Sequence, residues 1–363
     1  MSLRDPRIEE YARIMVDTCV GVQPGWQVLV AGGVLARPLF DEITRQIARR
    51  GAYALLRVGW GGSITGPTFA WAREAPMELL ERPAPLDVKV FEEADAFIAV
   101  EAPENTRNAL ALDQERLTTL QVGVRPALER VYRGDVPWTG GQFPTPALAQ
   151  EAGMATDDFA DFLYGACLLD WDAERARMQR YADRFDGAEQ VRIVGAETDL
   201  TLSIAGRAMA VDAGGRNLPG GEFFTSPVED SAEGTITFAE FPAVYLGREC
   251  RRIRLRFESG QVVEASAEVE DDFLVQMLDT DDGARRLGEL GIGCNPRITR
   301  HMRNTLFDEK IDGTIHLALG NGIREVGGTN QSAIHWDIVK DLREGGRIEL
   351  DGEVVQQDGQ WNI

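Results

Sequence analysis

Two of the three histidines in the chain, His316 and His335, fall within one stretch from Asn304 to Asp337, NTLFDEKIDGTIHLALGNGIREVGGTNQSAIHWD. Imidazole nitrogen beside carboxylate oxygen is a donor set suited to divalent transition metals. In GTIHLALG the alternation puts Ile315, Leu317 and Leu319 on one face of a strand and His316 and Ala318 on the other. In SAIHWDIV, Ile334, Trp336 and Ile338 share a face, so His335 and Asp337 project together from the opposite one. A His-x-Asp pair on a strand presents imidazole and carboxylate side by side, as a metal ion requires. For either strand alone, a satisfied core or surface histidine is the default. Two such strands joined by a glycine-rich loop favour a metal site.

Ligands of this kind need rigid elements to hold them. A chain of 363 residues exceeds one compact core and suits two domains. Asp5-Pro6 reads as a helix cap, with Ile8, Tyr11, Met15 and Cys19 lining one face to about Gly21. The buried run QVLVAG follows, then a helix over about 38–50 closed by Gly51, the strand AYALLRV, the strand AFIAVEA and a long helix over about 113–133. This strand and helix alternation predicts an α/β N-terminal domain with a parallel sheet. GWGGSITG lacks both the GxGxxG spacing and GK[ST], and reads as an ordinary exit from a strand. Helices are expected at about 146–151, 157–168 and 171–185.

Near Asp186-Gly187 the texture changes to short strands separated by glycines, QVRIVG, DLTLSIAG, GTITF, RIRLRF and VVEASAEV. The expected division is therefore an α/β domain at 1–187 and a β-rich, α+β metal-binding domain at 188–363. Helices are expected in the second domain at about 271–278 and 283–290.

Composition narrows the partners. Hydrophobic residues make up 44% and charged residues 27%, as in ordinary soluble domains. No apolar run approaches the roughly 20 residues that span a bilayer, and the N-terminal sequence lacks the order of a signal peptide. A cytoplasmic location is the expectation. The net charge of −21 argues against nucleic acid. It could draw in a cationic group such as the free amino end of a peptide, although an acidic surface for solubility explains it equally well. The four cysteines are scattered, which indicates neither a disulfide framework nor a thiolate zinc site.

Further carboxylates stand near special backbone. Glu222 follows NLPGG, and Glu289 lies in DDGARRLGELG, read as a short helix between an aspartate cap and Gly291. Among 59 acidic residues, sequence physics alone leaves both as solvated glutamates.

The blocks NLPGGEFFTSP, TDDGARRLGELG, NTLFDEKIDGTIHLALG and GGTNQSAIHWD resemble the aminopeptidase T family of two-metal aminopeptidases. So do YARIMVDTCVGVQPGWQVLV, PTPALAQEAGM and the terminal GG–DGE–DG pattern, so the resemblance covers nearly the whole chain. It implies metal ligands at Glu222, Glu289, His316, His335 and Asp337, and two divalent ions, Zn²⁺, Co²⁺ or Mn²⁺. It implies hydrolysis of the N-terminal peptide bond of short peptides with a free amino end, and a homodimer. Glu309 is a candidate general base or outer partner of the ligands, with a salt bridge to Lys310 as its structural alternative. His301 has no assigned role.

One position departs from the family pattern HxALGxxYP. Where the family has tyrosine, thought to stabilise the tetrahedral intermediate, this chain has Ile323, followed by Arg324 in place of proline. Isoleucine donates no hydrogen bond, and a contribution worth about 2.7–4 kcal/mol would be absent. Arg324 or Tyr245 could substitute. Three readings follow: an aminopeptidase with altered transition-state stabilisation, a metal-binding homologue with weak or no peptidase activity that serves binding or regulation, or a hydrolase of another amide.

Overall fold

The apolar run Gln27–Gly33 is buried over five consecutive residues, as a strand covered on both faces must be. It pairs in parallel with Tyr53–Gly59 on one side and Ala96–Glu101 on the other. Trp138–Gln142 and the short strand Asn217–Leu218 extend this parallel sheet to five strands. Leu29, Ala31, Phe91, Phe97 and Leu128 form one cluster of its core. The computed structural model describes residues 5–60 and 67–362, so GWGGSITG from residue 61 onward lies outside the described residues.

Local sequence explains the helices around this sheet. The Asp5 carboxylate accepts the Arg7 N–H at 3.0 Å and caps the helix Pro6–Arg13, with proline in the first turn. The helix continues to Gly21, but Ile14–Val20 is wound as a π-helix, and Gly21 ends it at φ 65°. Ile8, Tyr11 and Met15 are buried on its inner side, whereas Cys19 is only half-buried. The long helix expected over 113–133 is broken into Gln114–Val124, a 3-10 turn Arg125–Leu128 and Glu129–Tyr132. Pro126 accounts for the break, since it has no N–H and its ring crowds the preceding turn.

The chain forms two compact units, Met1–Leu169 with Gly214–Gly220, and Asp170–Ala213 with Gly221–Ile363. The helix Trp171–Ala182 is grouped with the second unit, where Tyr181 stacks on Trp361 with ring centroids 4.5 Å apart.

The second unit holds an eight-stranded and a five-stranded antiparallel sheet, and the helix Asp271–Leu278 stands where the sequence predicts it. The five-stranded sheet runs His335–Asp341, Thr314–Gly320, Leu287–Gly293, Glu222–Thr225, Ala210–Asp212. With the parallel sheet of the first unit, this gives the expected mixture of α/β and β-rich architecture.

The helix expected over 283–290 is not formed. Leu287–Gly293 is instead a strand buried at every residue. Its glycines explain the difference. A Cβ on Gly288 would lie 2.2 Å from the Asn321 carbonyl oxygen, and one on Gly293 would lie 2.1 Å from the Ile311 carbonyl oxygen. These are places where neighbouring backbone presses against the strand, and glycine is poorly suited to a helix interior.

Candidate metal centre

Residues directly opposite each other in an antiparallel pair share a face. Asp212 stands opposite Glu222, Glu222 opposite Gly293, and Gly291 opposite His316. Glu289 pairs with Ala318, Ala318 with Asp337, and Gly320 with His335. One face of the five-stranded sheet therefore carries Asp212, Glu222, Glu289, His316, His335 and Asp337, with small residues between them. The other face carries Ile315, Leu317, Leu319, Trp336 and Ile338, all buried. Gly291 is required for room, because a Cβ there would lie 2.0 Å from His316 Cε1.

Backbone carbonyls fix both imidazoles. His316 Nδ1 lies 3.1 Å from the Glu309 carbonyl oxygen, and His335 Nδ1 lies 2.9 Å from that of Asn321. A carbonyl only accepts, so each Nδ1 is the donor and each Nε2 faces the carboxylates. His316 Nε2 is 3.3 Å from Glu289 Oε1 and 3.6 Å from Glu222 Oε2. His335 Nε2 is 3.1 Å from Glu289 Oε2 and 3.4 Å from Asp337 Oδ1. Glu289 thus turns one oxygen to each histidine.

The donor atoms fall into two triads, Glu222–Glu309–His316 and Glu289–His335–Asp337, each with its ligand atoms within 4.8 Å of one another. Glu222 Oε2 and Asp337 Oδ1 are buried without a hydrogen-bond partner. Buried carboxylate oxygens of this kind demand a positive partner, and a divalent cation among these oxygen and imidazole donors satisfies them. On this observation the residues fit a metal.

Electrostatics point the same way. Burial would depress the His316 imidazolium, but its hydrogen bond to Glu289 and the charges of Glu289, Glu222 and Asp337 push it up to about 10. Burial raises the Asp337 carboxyl, yet the nearby charge of His335 prevails and holds it at about 2. Burial carries Glu222 up to about 8 against the opposing charge of Lys310. Without another cation, the imidazoles neutralise the carboxylates.

All five residues implied as ligands stand on this face, and Glu309 reaches it from the loop before Thr314–Gly320. Glu309 also meets its structural alternative, since its Oε1 contacts Lys310 Nζ. Two charged neighbours are absent from the sequence reading of the face. The sequence marks Lys310 only as a partner for Glu309, yet its Nζ also lies 3.1 Å from Glu222 Oε1. Asp212 comes from a strand that no motif marked. Neither has a spacing signal, because both converge through tertiary pairing.

Ile323 is half-buried at the start of the 3-10 turn Arg324–Val326, and its backbone N–H donates to Ser226 Oγ at 2.9 Å. Arg324 is exposed. Tyr245, which the sequence offers as a substitute for the missing tyrosine, packs against the apolar face of the sheet. Its ring stacks on Trp336 at 5.4 Å between centroids, and Trp336 projects from the opposite face to His335 and Asp337. His301 lies outside both triads, 3.1 Å from Asp308 Oδ2 and stacked on Phe241.

The family described as thermophilic metalloprotease (M29) matches residues 4–361. Aminopeptidase 2 of Geobacillus stearothermophilus is 28% identical, over 99% of this chain and 99% of its own length. The structure of wild-type AmpT from Thermus thermophilus shares the fold at a TM-score of 0.84 and 25% identity, covering 99% of both chains. A 2,5-dihydroxypyridine dioxygenase from Pseudomonas putida has a TM-score of 0.65 at 18% identity, covering 99% of this chain and 98% of its own, which is a likeness of fold alone. The same architecture therefore accompanies more than one chemistry, and the choice between them rests on the family and the site.

Proposed function

The chain belongs to the thermophilic metalloprotease (M29) family, and from that premise we propose that it is a metal-dependent aminopeptidase releasing N-terminal residues from short peptides. The observation that carries this reading is the buried face on which Glu289 turns one oxygen to each of two carbonyl-anchored histidines, between Glu222 and Asp337. Glu222, Glu289, His316, His335 and Asp337 are the residues we assign to metal. The donor set suits a divalent ion, and the family resemblance favours two, with Zn²⁺, Co²⁺ or Mn²⁺ suited to mixed oxygen and imidazole ligands. A divalent ion held there supplies Lewis acidity toward the scissile carbonyl and makes a water acidic enough to be a nucleophile near neutral pH.

The protein's own groups do the rest. The Glu309 and Asn321 carbonyls hold the imidazoles in the tautomer that leaves Nε2 on the ligand side. Glu309 is our candidate to take the proton from the attacking water. Burial raises its carboxyl above the usual range, while Lys310 restrains the shift. The surplus of carboxylates on this face favours the free ammonium end of a peptide.

A second reading is favoured by one observation, the donor-less side chain at Ile323. In it the chain binds metal and acts weakly or not at all on peptides, serving a regulatory role or cleaving another amide. Aminoacyl-anilide turnover in Co²⁺ or Zn²⁺, measured beside an Ile323→Tyr variant, separates the two. Expected is turnover by the native protein and a rise of about tenfold or more in the variant. Turnover only in the variant overturns the first reading. The proposal includes a homodimer in the cytoplasm, supported by the family resemblance and by the absence, among the described residues, of a helix long and apolar enough to cross a membrane. A light-scattering mass of one chain would contradict the dimer.

A further inference from the structure

The first unit holds a cavity of about 280 Å³ that shares no residue with the metal face. Trp71, Leu79, Leu80, Leu120 and Leu128 belong to its apolar wall. Leu80, Leu120 and Leu128 are buried, whereas Trp71 and Leu79 stay 42% and 47% exposed. Apolar side chains gathered around a hollow, with a few polar groups among them, are the usual lining of a ligand pocket.

Its walls are tied to one another. The Arg116 guanidinium donates to the Ala72 and Ala75 carbonyls at 2.7 and 2.8 Å, which fastens the helix Gln114–Val124 to the end of Phe69–Glu74. Gly123 lets the same helix lie against Met77–Leu80, since a Cβ there would stand 1.9 Å from the Leu80 carbonyl oxygen. The Arg57 guanidinium donates two hydrogen bonds to the Asp87 carboxylate, at 2.8 and 3.0 Å, and anchors the helix Pro85–Glu93 to the strand Tyr53–Gly59. A pocket held open in this way loses little conformational freedom when a ligand enters.

The polar groups of the lining are one-sided. Its two charged residues are Asp87 and Arg82, and Arg57 already neutralises Asp87. Arg82 is exposed and, among the described residues, forms no ion pair and no hydrogen bond. Beside it starts the helix Pro85–Glu93, whose cap residue Ala84 offers no side chain to the free N–H groups of the first turn. A helix start of this kind favours negative charge and adds to the pull of the guanidinium. With 59 acidic residues in the chain, a guanidinium left unpaired at an apolar hollow is a vacancy for an anion from outside.

We propose that this pocket binds an amphipathic monocarboxylate, a free aliphatic acid whose tail of roughly ten carbons fills the hollow while its carboxylate meets Arg82. An apolar cavity of about 150 Å³ takes a benzene ring, and about 280 Å³ suits a tail of nearly twice that size. The guanidinium fork receives a carboxylate through two parallel N–H donors. A cationic amphiphile with the same tail meets the fork as repulsion. The site is independent of the metal-dependent reading, because none of its residues is assigned to metal.

The test is calorimetric titration of the full-length protein, as purified, with decanoate below its micelle concentration. One equivalent per chain is expected, with octanoate roughly tenfold weaker for its two missing methylenes and decyltrimethylammonium without binding. Arg82→Gln should weaken decanoate about tenfold or more. Leu79→Asp, which sets a negative charge in the lining, should weaken it further. Both side chains are exposed, so neither change disturbs the core. Decanoate binding that is unchanged in both variants puts the acid outside this pocket, at the metal face or elsewhere, and overturns the proposal. Decyltrimethylammonium binding as tightly as decanoate also overturns it, since the hollow would then have no preference for charge. So does a native protein that takes up no decanoate. The readout is binding and not turnover, so a failure of the peptidase reading leaves this result standing.

Discussion

Each unit contains a five-stranded sheet with inner strands buried on both faces, but the two sheets bury different things. In the first, Val28, Leu29, Val30 and Ala31 follow one another without a polar side chain. In the second, Thr314–Gly320 is buried at every residue, yet one face of the sheet carries His316 and, on other strands, Glu289 and Glu222. Apolar burial stabilises a sheet by itself. Burial of charge is tolerated only where opposite charge is close. The first sheet is therefore a complete structure, and the second is half of one, finished by imidazolium, ammonium or metal.

The largest break in this comparison is expected at Asp337. Asp337→Asn should lose bound metal and more than about a hundredfold in anilide turnover, because even changes in groups behind metal ligands reduce affinity or activity 10–100-fold. Metal content and turnover measured on the same sample check it.

A matched pair comes next. Gly291→Ala places a methyl 2.0 Å from His316 Cε1. It should lose about 1–3 kcal/mol of stability by overpacking, and metal affinity with it. Ile98→Ala, at a fully buried residue of the first sheet, should lose about 2–5 kcal/mol and leave metal affinity unchanged. Denaturant unfolding and metal titration of both variants separate the two sheets. Equal effects on metal affinity would contradict the contrast.

The smallest effect is one of pH on the metal-free protein. Burial opposes protonation of His316, but its neighbouring carboxylates raise it from 6.5 to about 10. A histidine raised on folding adds stability that is fully present below its unfolded value and lost as pH rises through the folded one. The melting temperature of metal-free protein should therefore fall between about pH 7 and about pH 10. His316→Gln should flatten that slope, and an unchanged slope would contradict the assignment.

What the sequence discloses follows the same division. Strands such as Gln190–Gly195 and the paired His316 and His335 strands show themselves through alternation, because each obeys a period of two. The aspartate cap at Asp281 or Asp282 and Gly291 as a stop read as a short helix around Glu289. Gly288, Gly291 and Gly293 outweigh those cap signals, since backbone and imidazole from other strands need their space. Pro126 interrupts a helix whose pattern otherwise runs on. Lys310 and Asp212 were illegible as members of the site. Their approach to Glu222 depends on which strands pair, and no local period records that.

The central claim, metal-dependent attack on the N-terminal peptide bond, is tested most directly by one paired assay. Stripped protein is reloaded with Co²⁺ and given a short peptide with a free amino end and its N-acetylated copy. Release of the first residue from the free peptide, abolished by chelator and absent with the acetylated copy, is the expected result. Equal cleavage of both peptides, or turnover that persists in chelator, would contradict it.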